Sequence, residues 1–294
     1  MNGGRRYSMP PSAFLRVDVN GPWIRRRCIF EYDGTDFCGF QAQDQPRIMR
    51  TVQEVIEDAI NRTTGETELA RLRFASRTDT GVHARGQVIV LVSRCVESDR
   101  VFRDALNTRL PQDVMCRSVI TMPQTQANFD PHTDATCKRY EYELVAGGLR
   151  PVAYRRNVWH ICKQLDVAKM QLAVSHLTAP PSTKDFSSFT SQKDRDGGRG
   201  NICTISTIEL HTEKKDDKEG AQYEEDVATR IRLVFEGNRF KYKMVRNLVG
   251  TIVDVGLGRL KAEEIPKILA AKNRAKAGQG APPHGLTLVW VKYD

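Results

Sequence analysis

Apolar and polar side chains alternate with a period of two along much of this chain, so it must pair such segments into sheets with one covered face. In "CIFEYD", Cys28, Phe30 and Tyr32 alternate with Ile29, Glu31 and Asp33 until Gly34 ends the run. "KRYEYELVA" sets Tyr140, Tyr142 and Leu144 against charged neighbours, and "ICTISTIEL" and "TRIRLVFEG" alternate in the same way. Strands are also predicted over 71–76, 87–93 and 114–121, and "LTLVWVKY" closes the chain as another.

Helices separate these strands. Thr51 and Glu54 form a capping box ahead of Val52, Val55, Ile56, Ala59 and Ile60, and Gly65 stops the helix predicted over 52–64. A second helix runs over 99–110 to Pro111, and Asp166 caps a third lined by Val167, Met170, Val174 and Leu177. The longest spans 240–255 and ends at a pair of glycines. Each half offers strands with two helices, which predicts two related α/β units over 27–125 and 126–294 behind an arm at 1–26. The run 213–226 is almost all charge and reads as a solvated hairpin loop.

Composition narrows the function. With 45 Lys and Arg against 36 Asp and Glu, the net charge of +9 suits a polyanionic partner if the charge is focused on one face. Scattered surface charge gives the same total. The seven cysteines (28, 38, 95, 116, 137, 162 and 203) form no CxxC pair and read as buried thiols, and the histidines show no HExxH, so neither a metal nor a cofactor is expected. No apolar run approaches the roughly 18 residues of a membrane span. The first 27 residues hold Arg5, Arg6, Arg16, Arg25, Arg26 and Arg27, interrupted by Pro10, Pro11 and Pro22. That pattern predicts a disordered basic arm on a cytoplasmic protein, with organellar import left open.

The segment that carries chemistry is "RFASRTDTGVHARGQV", residues 73–88. A strand runs into a loop where Arg77, Asp79 and His83 fall within seven residues, and Gly81 permits backbone angles closed to other residues. An acid beside arginines is also the pattern of a salt bridge or a turn cap.

The run Arg77, Thr78, Asp79, Thr80, Gly81, Val82, His83, Ala84 resembles the hallmark of the TruA family of tRNA pseudouridine synthases, Arg-Thr-Asp-x-Gly-Val-His-Ala. Similar segments follow along the chain: "FEYDGTDFCGFQAQ", "CKRYEYEL", "KDFSSFTS", "FKYKMVRNLVGTIVDVGLG" and "APPHGLTLVWVKYD". Only the arm and the 213–226 loop fall outside the resemblance.

The resemblance implies two similar halves forming one mainly antiparallel sheet, with helices on one face and a basic RNA cleft on the other. It also implies a homodimer acting on uridines of the tRNA anticodon stem-loop. Asp79 becomes the catalytic carboxylate, Tyr140 the ring that stacks on the target uracil, and Arg246 the cation that keeps Asp79 ionised. Arg77, His83 and Arg85 become substrate-binding residues, although Arg85 stands where the family pattern leads one to expect a small or uncharged residue.

The chemistry suits these residue types. Isomerising uridine breaks the bond from uracil to C1′ and rejoins the base through C5, with no redox partner or phosphate donor. One ionised carboxylate can stabilise or bond to an oxocarbenium-like sugar, as in retaining glycosidases. Attack on the sugar, attack on the base and proton abstraction at C2′ all stay open at this stage. An extruded base needs an aromatic platform, although a tyrosine in an alternating strand is equally a core residue. His83 is also suited to bonding the loop backbone. Arg246 lies among Met244, Leu248 and Ile252, where a guanidinium needs an anion. Further basic residues flank the motifs: Lys138 and Arg139, Arg155 and Arg156, and Arg239, Lys241 and Lys243.

Two other classes compete. "FEYDGTD" echoes the strand end of aspartate-based phosphatases, but Glu31 takes the place of their nucleophile and no parallel βαβ rhythm follows. A catalytically silent RNA-binding module would bind tRNA without turnover, and the intact Asp79, Tyr140 and Arg246 argue against it.

Overall fold

A computed structural model describes residues 15–43, 50–66, 72–191, 200–214 and 228–294. They fall into two compact units, Met1–Ala135 and Thr136–Asp294. Residues 1–14 of the expected arm, and all of the expected charged loop beyond Lys214, lie outside the described residues.

In the first unit, β1 (Ile24–Tyr32), β3 (His83–Ser93) and β4 (Val114–Thr121) form an antiparallel sheet with the short β2 (Arg73–Phe74), in the order β4-β1-β3-β2. Helix α1 (Val52–Thr64) begins at the predicted capping box, in which Thr51 accepts the amide of Glu54 and Glu54 accepts that of Thr51. A cap of this kind contributes about 1 kcal/mol. Helix α2 (Asp99–Asn107) is fixed to β4 by one side chain, because Asn107 donates to the Cys116 carbonyl and accepts its amide, each at 2.8 Å. Arg62 and Arg109 exchange guanidinium-to-carbonyl bonds of 2.8 Å and so join the ends of the two helices.

Several boundaries differ from the sequence pattern. Strand β1 begins inside the stretch read as an arm, with Leu15 and Arg26 both buried. Arg26 donates to the carbonyls of Cys95 and Glu97 and to the Ser93 hydroxyl, so it serves as a buried fastener. Strand β3 starts at His83 rather than 87, because β1 supplies partners as far back as Ala84.

In the second unit, β5 (Cys137–Ala146), β7 (Thr183–Asp185), β8 (Ile202–Lys214), β9 (Thr229–Gly237) and β10 (Leu286–Lys292) pair antiparallel in the order β10-β5-β9-β8-β7. The short β6 (Trp159–Ile161) lies parallel to β5. Among the described residues the mixed α/β plan with mainly antiparallel sheet is therefore present in both units. Helix α3 (Val167–Thr178) starts at Asp166, as the sequence predicts.

Helix α4 (Met244–Gly256) begins four residues later than its apolar pattern suggests. Lys243 stands at φ +57°, a left-handed conformation that ends helical geometry on its N-terminal side. A short helix, α5 (Ile265–Ala271), and the strands β6 and β7 carry too little periodicity to be read from sequence.

The thiols also differ in part. Cys28, Cys95, Cys116 and Cys203 are buried as expected, whereas Cys38 and Cys137 are half-buried and Cys162 is exposed; all seven are free.

Candidate active site

The 73–88 segment turns between β2 and β3, and its neighbours hold it at nearly every residue. The Gln87 side chain accepts the Ser76 amide at 3.1 Å and donates to the Ser76 carbonyl at 2.5 Å, which pins the loop where it leaves the sheet. The Tyr32 and Thr78 hydroxyls lie 2.7 Å apart, and Phe40 donates its amide to the Thr78 carbonyl at 3.1 Å. Asp79 itself is half-buried. Its carbonyl accepts the Val82 amide at 3.1 Å, closing a turn in which Gly81 adopts φ +77°. The backbone that presents the carboxylate is thus fixed immediately before and after it.

The segment after β1 completes this cradle. A Cβ on Gly34 would come 2.0 Å from the Val82 carbonyl oxygen, so only glycine lets the two stretches cross. His83 is 3% exposed, and its Nδ1 accepts the Gly34 amide at 3.0 Å. Asp33 Oδ1 lies 3.1 Å from the same nitrogen but already accepts the amide and hydroxyl of Thr35. In the structure His83 bonds the loop backbone, one of the two roles its sequence position allows.

The Asp-Gly-Thr that echoes a phosphatase is therefore a side-chain-capped turn. It braces the Asp79 loop through Gly34, which meets His83 and Val82. Arg77 and Arg85 are exposed on either side of the motif.

In the second unit, β5 sorts its residues by face. Arg139 and Glu141 share one face, where Arg139 pairs with Glu141 at 3.1 Å and with Glu236 of β9 at 2.9 Å. Lys138, Tyr140, Tyr142 and Leu144 share the other, and all four are buried. Tyr142 is a core residue: its hydroxyl donates to the Pro282 carbonyl at 2.8 Å, and burial raises its phenol above the ordinary range. Tyr140 is 6% exposed and meets the edge of Phe240 with ring centroids 5.2 Å apart at 82°. That contact fixes the plane of the Tyr140 ring. Burial also pushes the Lys138 amine down to about 8, whereas its place in a basic run of the sequence suggests a surface charge.

Helix α4 positions Arg246. Every other residue of the helix is buried, so Arg246 marks its one accessible stripe rather than the apolar face suggested by its neighbours in sequence. Its Nε donates to the Ala281 carbonyl at 2.8 Å, and its own carbonyl accepts the Ala281 amide at 2.9 Å. This double tie sets the base of the side chain. Asn247 beside it donates to the Phe189 carbonyl at 2.7 Å and accepts from Arg274 at 2.9 Å, locking the helix rotation.

The class of this antiparallel α/β chain follows from its similarity to known proteins. Residues 28–130 and 183–294 match the family model described as tRNA pseudouridine synthase, and the chain belongs to that family.

Relatives match along nearly its full length. A protein of Anaplasma marginale (strain St. Maries) named tRNA pseudouridine synthase A is 35% identical over 92% of this chain and 100% of its own. Proteins of the same name from Acetivibrio thermocellus and Brevibacillus brevis are 35% and 37% identical, covering 91% and 92% of this chain and 98% and 99% of theirs. The family match includes the Asp79 loop and α4, and it leaves out the stretch that carries β5.

Proposed function

We propose that this chain converts uridine to pseudouridine in the anticodon stem-loop of tRNA, with Asp79 as the carboxylate on which the isomerisation depends. The observation that carries this reading is the uninterrupted run Arg77 to Ala84, lying within the family match and braced by Gln87, Tyr32, Phe40 and Gly34. Bracing matters because the carboxylate must meet a developing cation at C1′. Electrostatic stabilisation is largest when the charged group needs no rearrangement as the bond breaks.

The roles follow from the side chains. Asp79 stabilises or bonds to the sugar as the bond from N1 to C1′ breaks, and Arg246 serves as its counter-charge. The base turns and C5 forms the new bond to C1′. C5 then loses its proton and N1 gains one, so the product is an isomer of the substrate. Tyr140 offers the extruded uracil a face whose plane Phe240 sets. Arg77 and Arg85 contact the RNA backbone beside the target, while His83 acts on the substrate through the loop it holds.

Phosphate contacts by exposed basic residues, including Arg155 and Arg156, would line a basic cleft and hold the tRNA arm. A homodimer suits this arrangement, one subunit holding the RNA whose uridine reacts in the other. Incubating the purified chain with transcribed tRNA, and mapping pseudouridine in the product, tests the reading. Pseudouridine confined to the anticodon stem-loop is expected, and modification elsewhere or none at all would overturn it. Sedimentation of the same preparation tests the dimer, which a fully active monomer would contradict.

A further inference from the structure

One stripe of α4 is given over to holding a single segment, 274–282. Asn247 accepts from Arg274 at 2.9 Å, the Thr251 hydroxyl accepts the Gly278 amide at 3.0 Å, and Asp254 accepts the Gln279 amide at 3.3 Å. The Thr251 hydroxyl gives its own proton to the Asn247 carbonyl at 2.8 Å, which leaves its oxygen turned to Gly278. Positions 247, 251 and 254 recur at helical spacing, and Gly250 stands among them. A Cβ on Gly250 would overlap the Gln279 carbonyl oxygen, so only glycine lets the segment cross here. Next comes Ala281, which exchanges two bonds with Arg246, and then Pro282, whose carbonyl accepts the Tyr142 hydroxyl of β5 at 2.8 Å. Asn247, Thr251, Asp254 and Tyr142 are all buried. Polar groups are costly to bury, but once paired they fix one register where apolar packing alone would allow several.

We propose that Thr251 and Tyr142 are positioning residues for the isomerisation, holding segment 278–282 so that the Ala281 carbonyl aims the Arg246 guanidinium. This rests on the reading of Arg246 as the counter-charge of Asp79. A guanidinium is a planar fork, so a hydrogen bond from its Nε fixes the plane in which its outer N–H groups point. Without that bond a long arginine side chain samples many rotamers. A counter-charge already in place when the bond to C1′ breaks needs no rearrangement, the condition under which electrostatic stabilisation is greatest. Thr251 and Tyr142 are wholly buried, so each acts through the segment it holds.

The test measures single-turnover conversion, tRNA affinity and thermal unfolding for the wild type, Thr251→Val, Thr251→Ser, Tyr142→Phe and Arg246→Lys. Thr251→Val and Tyr142→Phe are also each combined with Arg246→Lys. Thr251→Val keeps the branched shape but takes the acceptor from Gly278, and Tyr142→Phe deletes one hydroxyl. Each should slow conversion by about tenfold while leaving tRNA affinity nearly unchanged. Thr251→Ser, which keeps the hydroxyl, should stay within about twofold of the wild type. Arg246→Lys keeps the charge but has no Nε–H to give Ala281, so in that background neither substitution should slow conversion by more than about a further twofold. The Arg246 Nε–H resonance, identified by its absence from Arg246→Lys, should shift in Thr251→Val and in Tyr142→Phe.

Conversion by Thr251→Val and Tyr142→Phe within about twofold of the wild type, or a loss confined to tRNA affinity, would overturn the assignment. So would a loss undiminished beside Arg246→Lys, or an unmoved Arg246 resonance. Arg246→Ala is run in the same assay. If it keeps full conversion, the reading of Arg246 itself fails. If it is slow while Thr251→Val and Tyr142→Phe are not, only the positioning role is lost.

Discussion

His83 Nδ1 accepts the amide of Gly34 at 3.0 Å, a bond that joins the turn after β1 to the residue four places beyond Asp79. Gly34 also lies where any Cβ would press within 2.0 Å of the Val82 carbonyl oxygen. Gly34→Ala should therefore displace the Asp79 loop, and a shift of about 1 Å in a catalytic group costs about 100-fold in rate. His83→Leu should leave a buried amide without its acceptor and cost about 1–3 kcal/mol. Urea denaturation paired with single-turnover conversion checks both. Normal turnover by Gly34→Ala would show that the cradle does not position the aspartate.

Arg26 gives a second, purely structural expectation. Its guanidinium bonds two carbonyls and the Ser93 hydroxyl, lies 3.3 Å from Asp99 and sits over the ring of Phe102. Arg26→Met should strand those acceptors and destabilise the first unit by about 3–5 kcal/mol. Arg26→Lys should recover only part of this, because an ammonium cannot reproduce the planar fork. A change below about 1 kcal/mol in denaturant unfolding would refute this role.

Much of this fold was legible in the sequence, and its failures have physical causes. Period-two segments and side-chain caps are local signals, and the helices starting at Thr51 and Asp166 appear where those residues place them. The start of α4 was misplaced because Lys243 takes a left-handed conformation without the glycine that usually marks one. Arg26 was misassigned to an arm because its partners, at 93–99, are distant in sequence, and a buried arginine looks like an exposed one until they are known.

The site divides in the same way. The Asp79 run was readable as a motif, whereas the burial of Lys138 comes from strand pairing and the contact of Phe240 with Tyr140 from the segment after β9, neither of which a local pattern encodes.

Lys138 also carries a signature in the pH dependence of stability. Its folded value of about 8 lies below the ordinary 10.5, so burial favours the neutral amine. Below about 8 both states are protonated and the fold bears the full cost of the buried charge. Between about 8 and 10.5 the folded state gives up its proton first, so stability rises with pH across that window. From pH 7.5 to 9.5 the wild type should gain about 2 kcal/mol relative to Lys138→Met, read from urea midpoints. Parallel curves for the two proteins would mean that the amine is solvated.

Conversion is expected to depend above all on the carboxylate of Asp79. Asp79→Asn keeps the size of the side chain and removes its charge. On transcribed tRNA, with the product verified as pseudouridine, conversion by this variant should fall by about 1,000-fold or more while tRNA affinity and thermal unfolding change little. A folded Asp79→Asn enzyme that converts uridine at a near-normal rate would contradict the account.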